Sequence, residues 1–105
     1  MSCRVVRHNK YHWHNTRLLV LTHESFMIMK QKSKNLKEIR LKIPHEEIKG
    51  LTVSLHTSSH ELVIHLEMQA DLRITCVGTR EQIIDALKVF YQARKGESLA
   101  IYGVR

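Results

Sequence analysis

The chain has 105 residues, 43% of them hydrophobic, which suits one domain with a modest core. No apolar run approaches the roughly 18 residues that a membrane-spanning helix needs, and one Pro and four Gly exclude a low-complexity chain. The formal charge of +7 is unevenly placed: residues 1–49 carry eleven Lys/Arg against four acids, whereas residues 50–105 carry six of each. Excess charge confined to one part of a fold points to a polyanionic partner, such as acidic lipid, nucleic acid or an acidic protein.

In chain order, "MSCRVVRHNK" lacks the apolar stretch of a secretory signal, and its second residue is Ser, not the Gly that myristoylation needs. "CRVVR" (3–7) reads as a short strand. "RHNKYHWHNTR" (7–17) packs three histidines, three cations, Tyr11 and Trp13 into one acid-free loop. "RLLVLTH" (17–23) is the continuous apolar run of a buried strand, and "SFMIMK" (25–30) follows closely enough for a tight hairpin. "KQKSKNLK" (30–37) reads as a cation-rich turn. "EIRLKIP" (38–44) alternates, which predicts Ile39, Leu41 and Ile43 inward and Arg40 and Lys42 on a basic outer face, with Pro44 as the end.

"HEEIKG" (45–50) reads as a turn with Gly50 supplying conformational freedom. Three alternating strands follow. "LTVSLHT" (51–57) is expected to face Leu51, Val53 and Leu55 inward. "ELVIHLEM" (61–68) does the same with Leu62, Ile64 and Leu66, and "DLRITCVG" (71–78) with Leu72, Ile74 and Cys76. Then the period changes. Ile83, Ile84, Leu87, Phe90 and Tyr91 recur at helical spacing over about 80–94. Thr79 with Gln82 makes a capping box, Arg94 and Lys95 suit the C-terminal end, and Gly96 suits the position after it. The tail 97–105 is apolar enough to dock. These elements predict one mainly β domain over 1–105: a seven-stranded antiparallel barrel or sandwich over about 3–78, capped by one C-terminal helix.

"KEIRLKIPHEEIKGLTVS" (37–54) resembles the pleckstrin-homology-like module in the first tail-homology region of class I myosins, and similar modules attached to protist kinases. "RLLVLT" (17–22), "ELVIHLE" (61–67) and "DLRI" (71–74) resemble the flanking strands, so the likeness covers most of residues 3–92. The resemblance implies a pleckstrin-homology fold and peripheral binding to anionic lipids, phosphoinositides among them. It also implies that the cations come from the end of strand 1, the first loop and the start of strand 2. Arg7, Lys10 and Arg17 occupy those places, and Leu19 stands where the family motif ends on a basic residue.

The expected anion-binding set is therefore Arg7, Lys10, Arg17, Lys30, Lys32, Lys34, Arg40 and Lys42, with Tyr11 and Trp13 as candidates for insertion at headgroup level. The alternative is a peptide-docking adaptor in a cytoskeletal or signalling assembly, for which Arg80, Asp85 and Lys88 would matter more. A nucleic-acid partner is disfavoured, because no helix-turn-helix, zinc finger or aromatic RNA-binding signature appears. His8, His12, His14, His56 and His60 raise a metal reading, but no acid lies near the first three, and no metal or cofactor is expected. Histidines in a basic loop should instead strengthen anion binding at low pH. No nucleophile elbow, P-loop or HExxH motif is present, so no enzyme is expected. Cys3 and Cys76, with no CxxC, fit free thiols in a reducing, cytosolic setting, peripherally membrane-associated.

Overall fold

The computed structural model describes residues 1–8, 14–56 and 59–104. Lys10, Tyr11, His12 and Trp13 of the predicted site lie outside the described residues. The elements run β1 (Ser2–His8), β2 (His14–Leu21), β3 (Ser25–Ser33), β4 (Leu36–Pro44), a 3-10 turn (His45–Glu47), β5 (Ile48–Ser54), β6 (Glu61–Leu66), β7 (Leu72–Thr75), α1 (Arg80–Lys95) and β8 (Ile101–Val104). The sheet order is β4-β3-β2-β1-β7-β6-β5-β8, antiparallel throughout except for the parallel β5/β8 pair.

Alternation along the strands builds one core. Val5, Leu19, Leu21, Phe26, Ile28, Ile43, Leu51, Leu62, Ile64, Leu66, Leu72, Ile74 and Cys76 are buried from the sheet, and Ile83, Ile84, Leu87 and Tyr91 close it from the helix. Two predicted inward positions differ. Ile39 is 53% exposed because Arg40 is an extra residue in β4. Ile28 pairs with Leu41 but Met29 pairs with Ile39, so the bulge moves Ile39 off the core face. Leu55 is 55% exposed because β5 ends at Ser54. The expected turn over 30–37 is mostly strand, and only Lys34 and Asn35 turn the chain.

The helix matches its period but not its predicted N-cap. Thr79 makes no side-chain capping bond, so the capping box does not form. At the other end Gly96 takes φ 71° and its N–H reaches the Gln92 carbonyl at 2.8 Å, the left-handed cap its sequence position implies. The C-terminal half of α1 packs over the β2/β3 turn and the 3-10 turn. Phe90 meets the His23 ring at 5.1 Å and stacks on His45 at 5.3 Å, and Arg94 forks onto Glu46 at 3.0 and 3.1 Å. The helix thus caps the end opposite the β1/β2 and β3/β4 hairpins.

The docked tail adds an eighth strand to the seven expected. Gly50 lies inside β5, not in a turn, and its role is close approach. A Cβ there would stand 3.1 Å from both the Ala100 carbonyl and the Tyr102 ring. That carbonyl accepts the Leu51 N–H at 2.9 Å, so it has little freedom to retreat. Gly50→Ala should therefore loosen β8 and lower stability by about 1–2 kcal/mol. The expected readout is an earlier urea midpoint with faster hydrogen exchange at β8 amides, and unchanged exchange there would refute it.

Candidate anion-binding face

β1 and β3 both run toward the hairpin end, so the β1/β2 and β3/β4 connections emerge together. β7 is antiparallel to β1, with His8 opposite Arg73, so the β6/β7 turn joins them. On β1, Val5 is buried and Arg7, two residues on, continues the same face to the rim, half-buried. On β2, Arg17 pairs with Val5 and stands two residues above Leu19, which is fully buried. Leu19, where the family motif has a basic residue, is thus a core position here, below the rim. On β3, Phe26 and Ile28 lead on the same face to Lys30.

The two bulged residues complete the rim. Lys32 is the extra residue of β3 and Arg40 that of β4. Both close on one carboxylate: Lys32 Nζ lies 2.9 Å from Glu38 Oε2, and Arg40 Nη1 lies 3.3 Å from Oε1. Bulges re-aim side chains, and this one turns Arg40 away from the basic outer face that alternation predicts. Lys42 does lie outward, exposed and paired with Met27, and Lys34 is exposed at the hairpin turn. Arg7, Arg17, Lys30, Lys32 and Arg40 are therefore brought together, while Lys34 and Lys42 stand apart from them.

The electrostatics agree with this clustering. Burial, then the Arg17 and Arg40 guanidiniums, push the Arg7 pKa below its usual value. The hydrogen bond from Lys32, with Arg40 and Lys30 nearby, holds the Glu38 carboxyl below the usual carboxylate range. Glu38 was not singled out by sequence. It is an acid inside a cationic strand, and only the paired bulges reveal that it gathers two cations.

His8 and His14, at the ends of β1 and β2, lie on the other face. His8 pairs across the hairpin with His14, their ring centroids 4.4 Å apart, and its Nε2 is 2.7 Å from the Thr75 hydroxyl. Burial first, then His14, lower the His8 pKa, so this ring resists the charge that a low-pH switch asks of it. Arg73, directly opposite His8, is a further cation at this end that sequence reading passed over. His65 donates from Nδ1 to Asp71 (2.7 Å) and is hydrogen-bonded through Nε2 to Thr52. This chain ties β5, β6 and the β6/β7 turn together. Among the described residues no group of three His, Cys, Asp or Glu is placed to hold a metal.

A depression of about 250 Å³ at the start of α1 involves Ser59, His60, Cys76 and Arg80. Arg80 spends a guanidinium bond on the Ser54 carbonyl at 3.1 Å, and burial pushes the Cys76 thiol up to about 12, so Cys76 is not a nucleophile near neutrality.

Residues 1–102 match the family described as unconventional myosin tail, actin- and lipid-binding. No curated protein matches the chain. Among solved structures, the human hSac2 domain of the phosphoinositide phosphatase Sac2 aligns with TM-score 0.75 at 12% identity, over all of this chain and 76% of that one. The Slm1 pleckstrin-homology domain in complex with phosphoserine aligns with TM-score 0.73 at 15% identity, over 88% and 94%. A pleckstrin-homology domain solved in solution gives 0.71 at 15% identity, over 93% and 89%. The fold is the pleckstrin-homology fold. Among the described residues no helix is long and apolar enough to cross a membrane.

Proposed function

Since the chain belongs to the actin- and lipid-binding family of unconventional myosin tails, we propose that it is a non-catalytic module that holds anionic lipid headgroups at the hairpin end of its sheet. One observation carries the assignment of the face: Arg7, Arg17, Lys30, Lys32 and Arg40, contributed by four strands, converge on one rim with Glu38 as the carboxylate among them. Lys10, Tyr11 and Trp13 lie in sequence between β1 and β2, and that sequence position adds a cation and two amphipathic rings to this reading. Lys34 and Lys42 contribute to the surrounding field rather than to the rim.

The setting we infer is cytoplasmic and peripheral, since each cation near an anionic leaflet is worth about 1 kcal/mol and five or six give reversible attachment. Phosphoinositide headgroups fit the same chemistry, and the solved Slm1 domain with inositol-4-phosphate, 16% identical, supports the comparison at the level of fold. Co-sedimentation with phosphatidylcholine vesicles, with and without phosphatidylserine or phosphatidylinositol phosphates, tests the reading. Binding should require the anionic lipid and weaken as salt rises. Arg7→Glu/Lys10→Glu/Arg17→Glu should abolish it, and undiminished binding by that variant would remove the face from the mechanism. If the wild type binds none of these vesicles, the protein-docking reading, which the family's actin-binding description favours, takes its place.

A further inference from the structure

The β3/β4 hairpin carries two large apolar side chains in the open. Leu36 is 59% exposed and Ile39 53%. Leu36 follows the two-residue turn Lys34–Asn35 and has only Ser33 across from it, so no apolar partner covers it within the hairpin. Ile39 is exposed through the Arg40 bulge, opposite the partly buried Met29. Exposed apolar residues occur elsewhere, as at Val77 and Val89. Here they stand among Lys30, Lys32, Lys34 and Lys37, at the end of the fold that gathers the cations, and Glu38, the acid beside Ile39, is ion-paired with Lys32 and Arg40. The β6/β7 turn, which lies at the same end, is different. It also exposes an apolar residue, Met68, but between Glu67 and Asp71, whose charge an anionic surface repels.

We propose that the β3/β4 hairpin enters the interface of an anionic bilayer, with Leu36 and Ile39 among the upper acyl segments and the flanking lysines at the phosphates. The partner follows from charge complementarity: apolar side chains ringed by cations match a surface whose anionic layer covers hydrocarbon. The acidic β6/β7 turn makes the approach one-sided, so the domain tilts with β3 and β4 toward the lipid. The inference rests on the lipid-binding reading above and adds an apolar, salt-resistant component to it.

The test compares wild type, Leu36→Gln/Ile39→Gln and the control Val89→Gln on phosphatidylcholine/phosphatidylserine vesicles at low and high salt. Both altered hairpin residues are exposed, so the variant should fold, and circular dichroism checks that. The double variant should lose roughly tenfold or more in vesicle affinity, with the larger loss at high salt, while Val89→Gln matches wild type. A second measurement places Leu36→Trp in a Trp13→Phe background, where brominated acyl chains should quench the single tryptophan. Wild-type binding that is indifferent to the double substitution, with no quenching at position 36, overturns this inference and leaves the lipid reading standing. Absence of vesicle binding by wild type overturns both.

Discussion

Arg7→Met should make the protein more stable and a weaker lipid binder. Arg7 is half-buried on the inner face of β1, and burial together with the Arg17 and Arg40 guanidiniums lowers its pKa. A cation whose pKa is lower folded than unfolded is held charged at a cost to the folded state. That cost is present at every pH where the side chain keeps its proton, which includes neutrality. Methionine keeps an apolar stem against the barrel and removes the charge, so stability should rise by a few tenths to about 1 kcal/mol. Affinity for anionic vesicles should fall about fivefold, the share of one cation near the surface. Arg7→Glu changes twice the charge and should cost on the order of 25-fold or more in affinity. Urea unfolding beside vesicle co-sedimentation reads both quantities. If stability and binding fall together, Arg7 is a structural residue and the rim is not built around it.

The opposite signs follow from how the rim is assembled. A charge placed for folding alone sits beside an opposite charge, as Arg94 sits on Glu46 at the helix end. Arg7 sits beside other cations, while Glu38, the carboxylate of the rim, holds Lys32 and Arg40. In the proposed binding mode, an arriving phosphate would relieve that repulsion. Glu38 also holds two long side chains in place, which in the proposed binding mode would lower the ordering cost of taking an anion.

Much of this was legible in the sequence, for identifiable reasons. Alternation in "ELVIHLEM" and "DLRITCVG" placed Leu62, Ile64, Leu66, Leu72, Ile74 and Cys76 in the core, where all are buried. The helical period in 80–94 and Gly96 after it located α1 and its C-terminal cap. Arg7 and Arg17 bracket the β1/β2 hairpin, a local feature that the sequence shows directly. The misses are non-local. A bulge is set by the partner strand, so period-2 reading put Ile39 inward and Arg40 outward when β3 pairing reverses both. Parallel addition of β8 to β5 depends on residues some fifty apart, and only the missing Cβ of Gly50 hints at it. His45 looked like a turn residue because nothing in "IPHEEI" shows that the helix returns to cover it.

His45 supplies the clearest acid sensitivity in the fold. Its ring is fully buried where the 3-10 turn, the β2/β3 turn and α1 meet. It stacks on Phe90 at 5.3 Å, donates from Nε2 to the Thr22 carbonyl at 2.7 Å and has no partner at Nδ1. A proton on Nδ1 would be a buried donor with nothing to accept it, and burial lowers the pKa below 6.5 despite the raising effects of the Thr22 bond and Glu46. Below its ordinary pKa the unfolded histidine binds a proton that the folded one refuses. The stability this ring contributes is therefore complete above about pH 6.5 and is lost progressively as pH falls toward the depressed folded value. His8, also depressed, adds to the slope with the same sign. His45→Phe keeps the stack on Phe90 and cannot titrate, but it leaves the Thr22 carbonyl without its donor. At pH 8 it should be less stable than wild type by about 1–3 kcal/mol, and His45→Ala, which also leaves a cavity, by about 3 kcal/mol or more. Between pH 7 and 5 wild type should lose stability faster than His45→Phe, so the gap between their urea midpoints should narrow. A gap that stays constant over that range would show that His45 takes up its proton in the folded state as readily as in the unfolded chain, and that its burial carries no pH cost.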